Sequence, residues 1–198
     1  MYKLNGTDFR DFGVYVSKSD GLFDRPAVKL DDGNMDFKKA YISSREITLS
    51  CFIKALGEEQ FIGRMCGFLK LLKVDALSFL AIQVGTIVLP YLVYCAESIE
   101  VDKEWSGHLM VGTFKLKLRE PEPVKRVIAA NGSCTINMYT PKAVNIYWGD
   151  GNFAADVIGD ISVRHDYDSV AEHYIIVTGD IDCIDNFSTD GIIIHSKI

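Results

Sequence analysis

The residues that could do chemistry are few, and most lie in the last third of the chain. His108, His165, His173 and His195 are the four histidines. None falls in the H-x-x-x-H or H-E-x-x-H spacing that sets two imidazoles on one helix face for zinc. His165 and His173 flank Asp166 and Asp168, so a turn that brought the rings together would offer a metal site. Asp150, Asn152 and Asp156 present oxygens to calcium, which takes roughly 6–8 of them. Their spacing follows no EF-hand loop, and an Asx-type turn uses the same side chains. No G-x-x-x-x-G-K-[ST] or G-x-G-x-x-G phosphate cradle and no G-x-S-x-G nucleophile elbow occurs. Cys66 sits mid-helix among apolar residues, where a thiol serves packing. Glu58 and Glu59 are adjacent on that helix and point in different directions, unlike a glycosidase pair, and the helix dipole explains acids in a first turn. The expectation is no enzyme, no cofactor and no metal.

The five cysteines, Cys51, Cys66, Cys95, Cys134 and Cys183, form no C-x-x-C pair. They read as small apolar residues of a protein folded in a reducing compartment. A Cys134–Cys183 disulfide stays open, because sequence does not test its geometry. Net charge is −6, unevenly spread: residues 1–123 hold 16 Lys+Arg against 17 Asp+Glu, and 124–198 hold 5 against 10. No basic stripe or zinc-finger spacing appears, so nucleic acid is not an expected partner. No signal peptide is visible after Met1. Residues 76–96 carry no charge and approach the length of a membrane span. Gln83, Gly85 and Thr86 interrupt that run and Pro90 breaks its second half, so it is read as a β-hairpin rather than a span.

The elements that must position these residues are mainly strands. Ile47, Leu49, Cys51 and Ile53 alternate with Glu46, Thr48, Ser50 and Lys54, the period of a half-buried strand. Phe61, Ile62, Met65, Leu69 and Leu72 then recur at helical spacing, which predicts a single helix over 58–73 with acids in its first turn and Lys70 and Lys73 in its last. Such a helix must close one side of a sheet. Phe114, Leu116 and Leu118 alternate with Lys115, Lys117 and Arg119 until Pro121 and Pro123 stop the pairing. A boundary therefore falls near Val124. Beyond it, strands are expected at 134–139, 144–148, 161–165, 174–178 and 191–195, a sandwich pattern. Between them the 22–44 segment is long, charged and weakly periodic. Its AspAspGlyAsn turn signal at 31–34 suggests an extended hairpin arm, with a solvent-exposed hairpin lacking any partner as the plain alternative.

Two resemblances follow. TyrLysLeuAsnGlyThrAspPheArgAspPheGlyValTyrVal (2–16), AspArgPro (24–26), ArgGluIleThrLeu (45–49), the helix and PheLysLeuLysLeuArgGluProGluPro (114–123) come in the order of the N-terminal domain of distal tail (Dit-like) proteins of long-tailed phages and prophages. AsnIleTyrTrpGlyAspGlyAsn (145–152), ArgHisAspTyr (164–167) and HisTyrIleIleValThrGlyAsp (173–180) resemble a PKD-type Ig-like domain. Together they imply a mainly β fold: an N-terminal β-barrel or sandwich with one helix (1–123), then an Ig-like β-sandwich (124–198).

The PKD resemblance implies a structural turn motif of Trp148, Gly149, Asp150, Gly151, His165, Tyr167 and Tyr174, in which His165 and Tyr167 pack and hydrogen-bond near Trp148. The Dit resemblance implies a structural protein of the virion tail, assembled in the bacterial cytoplasm. Its partners would be copies of itself in a ring, six-fold in the family, and other tail proteins, with a host surface glycan or protein as a further partner. Phe23, Arg25, Pro26, Phe37 and Tyr41 of the arm would then contact a neighbouring subunit. The rivals are a cell-surface carbohydrate- or protein-binding protein with a PKD-like spacer, and a cell-wall hydrolase.

Overall fold

The computed structural model describes residues 1–29, 41–106 and 109–198. They form strands β1 (Tyr2–Leu4), β2 (Thr7–Asp8), β3 (Val14–Asp20), β4 (Val28–Lys29), β5 (Tyr41–Ile42) and β6 (Arg45–Ala55), helix α1 (Glu58–Leu69), and strands β7 (Ser78–Val84), β8 (Ile87–Cys95), β9 (Val101–Ser106) and β10 (Leu109–Glu120). Strands β11 (Lys125–Asn131), β12 (Ser133–Tyr147), β13 (Phe153–Asp166), β14 (Glu172–Gly179), β15 (Asp185–Thr189) and β16 (Ile192–His195) follow. The fold is mainly β. The chain divides into two compact units, Met1–Pro121 and Glu122–Ile198.

In the first unit an eight-stranded antiparallel sheet runs β2-β1-β7-β8-β10-β6-β3, with β9 also on β10. Its centre is the long pair β6–β10, which places Cys51 opposite Phe114, Leu49 opposite Leu116 and Ile47 opposite Leu118. All six face inward, because strand side chains alternate with period two. The Tyr2 hydroxyl donates to Ser19 Oγ at 3.3 Å, joining β1 to β3 from opposite ends of the strand order, so the sheet curls towards closure.

Helix α1 packs on β6 through Phe61, Met65 and Phe68. The Phe68 ring meets Phe9 edge-on at 5.0 Å and tilts against Phe114 at 5.7 Å. Gly112 on β10 leaves room for the Phe61 ring, which a Cβ there would meet at 2.7 Å. The helix starts with the Gln60 side chain accepting from the Leu56 amide at 2.8 Å. It is shorter than the sequence pattern suggests, and its buried face is turned. Ile62 is 53% and Leu69 39% exposed, while Phe68, absent from the expected row, is fully buried. Two apolar rows run along this helix, and the two large rings and the thioether that fit the sheet decide which one is inside.

The uncharged 76–96 run is the hairpin β7–β8, turning at Gly85. Pro90 lies opposite Ala81 within the ladder. Among the described residues no helix is long and apolar enough to cross a membrane.

In the second unit the order is β13-β12-β14-β11-β16, with β15 also on β12. The expected strands at 134–139 and 144–148 are one long strand, β12. Its first half pairs with β13 and β15, and its second half with β13 and β14, with register shifts between Thr140 and Ile146. Strand β12 thus joins β13 and β15 to β14 within one six-stranded sheet. The core comprises Ile128, Ile136, Met138, Val144, Ile146, Trp148, Ile175 and Val177. Strands β11 and β15 were not placed by the sequence patterning.

Candidate functional site

Two places gather the residues that the sequence singles out. The first is the turn between β12 and β13. Trp148 follows β12 and is 3% exposed. Its amide donates to the Asn152 carbonyl at 3.0 Å, closing the turn over Gly149, Asp150 and Gly151. Gly149 has φ +85°, and a Cβ there would lie 2.5 Å from the Tyr174 carbonyl oxygen, so the turn presses against β14 where only glycine fits. Asp150 accepts from the Asn152 amide at 2.9 Å and from Asn152 Nδ2 at 3.0 Å, and it bonds His165 Nε2 at 2.7 Å. Burial opposes ionisation of Asp150, but the bonds from His165 and Asn152 outweigh it and hold the carboxyl below its usual range.

Rings complete the arrangement. Trp148 stacks on His165 at 4.8 Å, His165 meets Tyr167 edge-on at 4.8 Å, and Tyr167 stacks on His173 at 3.9 Å. The Tyr167 hydroxyl donates to the Trp148 carbonyl at 2.8 Å, a buried bond, and burial pushes that phenol's pKa up. Tyr174 bonds Glu172; burial first, then that carboxylate, raises its phenol to about 12.

His165 therefore uses its face on Trp148, and His173 its face on Tyr167. Among the described residues no cluster of His, Cys, Asp or Glu is arranged to hold a metal. The calcium candidates are also dispersed: Asp150 is committed to His165 and Asn152, and Asp156 lies at φ +52° with its amide on Asn145 Oδ1 at 3.0 Å. Cys134 and Cys183 are both free thiols, so the disulfide left open by the sequence does not form; Cys134 instead lies 3.3 Å from Thr189 Oγ1.

The second place is the base of the 22–44 arm. Phe37 lies outside the described residues, as does the Tyr41 side chain. Phe23 is 79% exposed, Arg25 is exposed and Pro26 half-buried. Strands β4 and β5 pair antiparallel, Val28 opposite Ile42 and Lys29 opposite Tyr41, and Ser43 donates to the Ala27 carbonyl at 2.9 Å.

Two residues that the sequence reading passed over anchor this base. Arg45 Nε donates to the Asp24 carbonyl at 3.2 Å, while its Nη1 bonds the buried Glu120 carboxylate at 3.1 Å. Tyr91 donates its hydroxyl to the Leu22 carbonyl at 3.1 Å; burial first, then nearby Glu120, raises that phenol to about 12, despite the opposing Arg45 charge. Nothing in the local pattern marks Arg45 or Tyr91, since each is an ordinary strand residue until the sheet brings it to the arm.

No protein-family model matches the chain, and no curated protein matches it. Among solved structures, the chain aligns with the SPP1 Dit (gp 19.1) protein, described as a paradigm of the hub adsorption apparatus in phages infecting Gram-positive bacteria. That alignment covers 96% of this chain and 96% of that one, at 10% identity and a TM-score of 0.42. A chain of the phage p2 baseplate in its activated conformation with Sr aligns over 96% of this chain and 93% of its own, at 11% identity and a TM-score of 0.38. Similarity this loose does not establish a shared fold.

Proposed function

We propose that this chain is a structural protein of a phage or prophage tail, at the distal tail or baseplate hub, built as a Dit-like ring module (1–123) followed by a PKD-like Ig-type sandwich (124–198). One observation carries the reading. The strings that hold the Dit resemblance are neighbours in space: 14–16 in β3, 45–49 in β6 and 114–120 in β10, side by side, with α1 packed on β6. The Trp148–Asp150–His165–Tyr167 arrangement supports the PKD-like reading of the second module.

Such a protein works by assembly rather than turnover. Copies close into a ring, six-fold by resemblance, through heterologous contacts whose rotation closes. The 22–44 arm reaches a neighbouring copy from a base anchored by Arg45 and Tyr91, and Phe23, Arg25, Pro26, Phe37 and Tyr41 supply its contacts. Other tail proteins are its partners above and below. The Ig-type module decorates the tail or contacts a host surface glycan or protein.

A reconstruction of the intact tail tests the proposal. The expected result places this chain at the tube–tip junction, and deletion of residues 24–42 stops tail assembly. Placement elsewhere, or assembly untouched by the deletion, overturns it.

A further inference from the structure

Helix α1 leaves its second apolar row uncovered among the described residues. Ile62 and Leu69 are exposed, Cys66 between them is exposed, and a Cβ at Gly63 would meet nothing within 4 Å. Ile62, Cys66 and Leu69 follow at four- and three-residue steps, so they form a stripe along the helix. Leu56 and Val74 continue the apolar exposure beyond its two ends. Both acids, Glu58 and Glu59, sit at the N-terminal end, and both bases, Lys70 and Lys73, at or just past the C-terminal end. None of the four takes part in an ion pair with the described residues.

Two such rows laid antiparallel are complementary about Cys66. Counting outward from it, Gly63 stands at the distance of Leu69 and Ile62 at that of Lys70, while Lys73 lies beyond the helix end at Leu69. A copy laid antiparallel therefore sets a leucine into the open notch at each Gly63. It also lays each Lys70 stem along Ile62, where a long cationic side chain covers apolar surface with its aliphatic part. The Lys70 ammonium then points on towards Glu59, one turn beyond Ile62, at both ends, and the helix dipoles oppose, which is the favourable arrangement.

We propose that α1 docks against α1 of a second copy of this chain, antiparallel across a two-fold axis at Cys66. The contact is isologous, so it does not itself close a ring. It goes beyond the tail reading and stands or falls separately from it.

Cross-linking of the purified full chain tests this, with Cys95→Ser and Cys183→Ser removing the other accessible thiols. Diamide takes two electrons and two protons from a pair of thiols and leaves a disulfide. The expected product is a dimer whose peptide map joins Cys66 to Cys66 and which Cys66→Ser abolishes. Glu58→Lys with Glu59→Lys sets like charges together at both ends and slows the reaction about ten-fold, as several surface charge pairs together would. Lys70→Glu with Lys73→Glu does the same alone, and mixing the two variants restores the rate as a heterodimer of distinguishable masses. Circular dichroism checks that each variant stays folded. A dimer joined through another cysteine, a rate indifferent to charge reversal, or no Cys66-linked product at any protein concentration overturns the proposal.

Discussion

The N-terminal unit is held together by aromatic layers, Phe9 on Phe68 and Phe68 on Phe114, under an eight-stranded sheet. The C-terminal unit instead suspends its sharpest turn from a mixed polar and aromatic column of Trp148, His165, Tyr167 and His173, with Asp150 tied into the side. The difference follows from size. A small unit buries a smaller fraction of its surface, so each remaining contact carries more of the total. A turn that also presses on a neighbouring strand needs its polar groups satisfied, because an unsatisfied buried group costs about 1–3 kcal/mol. In the N-terminal unit the buried polar pair, Arg45 with Glu120, does not hold a core turn; it anchors the base of an arm.

The largest effect tests both columns at once. Trp148→Ala should lower the stability of the C-terminal unit by about 3–5 kcal/mol, and Phe68→Ala should cost the N-terminal unit a similar amount. Urea titration of the full chain, followed by hydrogen exchange of peptides from each unit, separates the two. If the midpoint does not move for Trp148→Ala, the ring column is not what holds the second unit.

Next in size is a contrast within the turn. Gly149→Ala combines φ +85° with a 2.5 Å approach to the Tyr174 carbonyl, so it should cost about 2 kcal/mol or more. Gly151→Ala also has a positive φ but open space, so it should cost about 1 kcal/mol. Gly21 supplies the N-terminal counterpart, since a Cβ there would lie 2.0 Å from the Glu46 carbonyl oxygen. Equal melting temperatures for the alanines at 149 and 151 would show that strand contact does not constrain the turn.

Tyr167→Phe keeps both ring contacts and removes only the hydroxyl bond to Trp148, leaving a buried carbonyl without its donor. A loss of about 1–1.5 kcal/mol is expected, smaller than the tryptophan effect because the stack remains.

The smallest effect is in acid. The folded Asp150 carboxyl lies below its ordinary value of 3.8, so its contribution is complete above that value and lost as pH falls through the lowered folded one. Asp150→Asn should therefore be less stable than the parent at neutral pH and converge with it in acid. Parallel pH profiles for the two proteins would remove the carboxylate from the account of the turn.

Much of the mainly β architecture was legible in the chain, for reasons that particular residues make plain. Strict alternation in 45–54 and 114–119 leaves a strand one face to bury, and two prolines after Glu120 leave it nowhere to continue. Gly85, Pro90 and the uncharged run around them gave the hairpin β7–β8, in which a proline costs the ladder only the bond its missing N–H would have made. The break expected between 139 and 144 failed. Strand β12 runs through, since a strand can exchange neighbours at a register shift without ending.

Periods, turns and the residue types within them are local, and they were legible in the chain: one helix, the alternating strands, and a Trp-Gly-Asp-Gly turn whose glycines permit positive φ. Phase and partnership came from packing. Helix α1 has two apolar rows, and the fit of Phe61, Met65 and Phe68 to the sheet chose the buried one, leaving Ile62 and Leu69 outside. Arg45 and Tyr91 became anchors of the arm through contacts between segments far apart in the chain. Local pattern records which conformations a segment can adopt, whereas long-range partners are chosen by packing volume and by the need to satisfy buried polar groups, and neither is written in any one stretch.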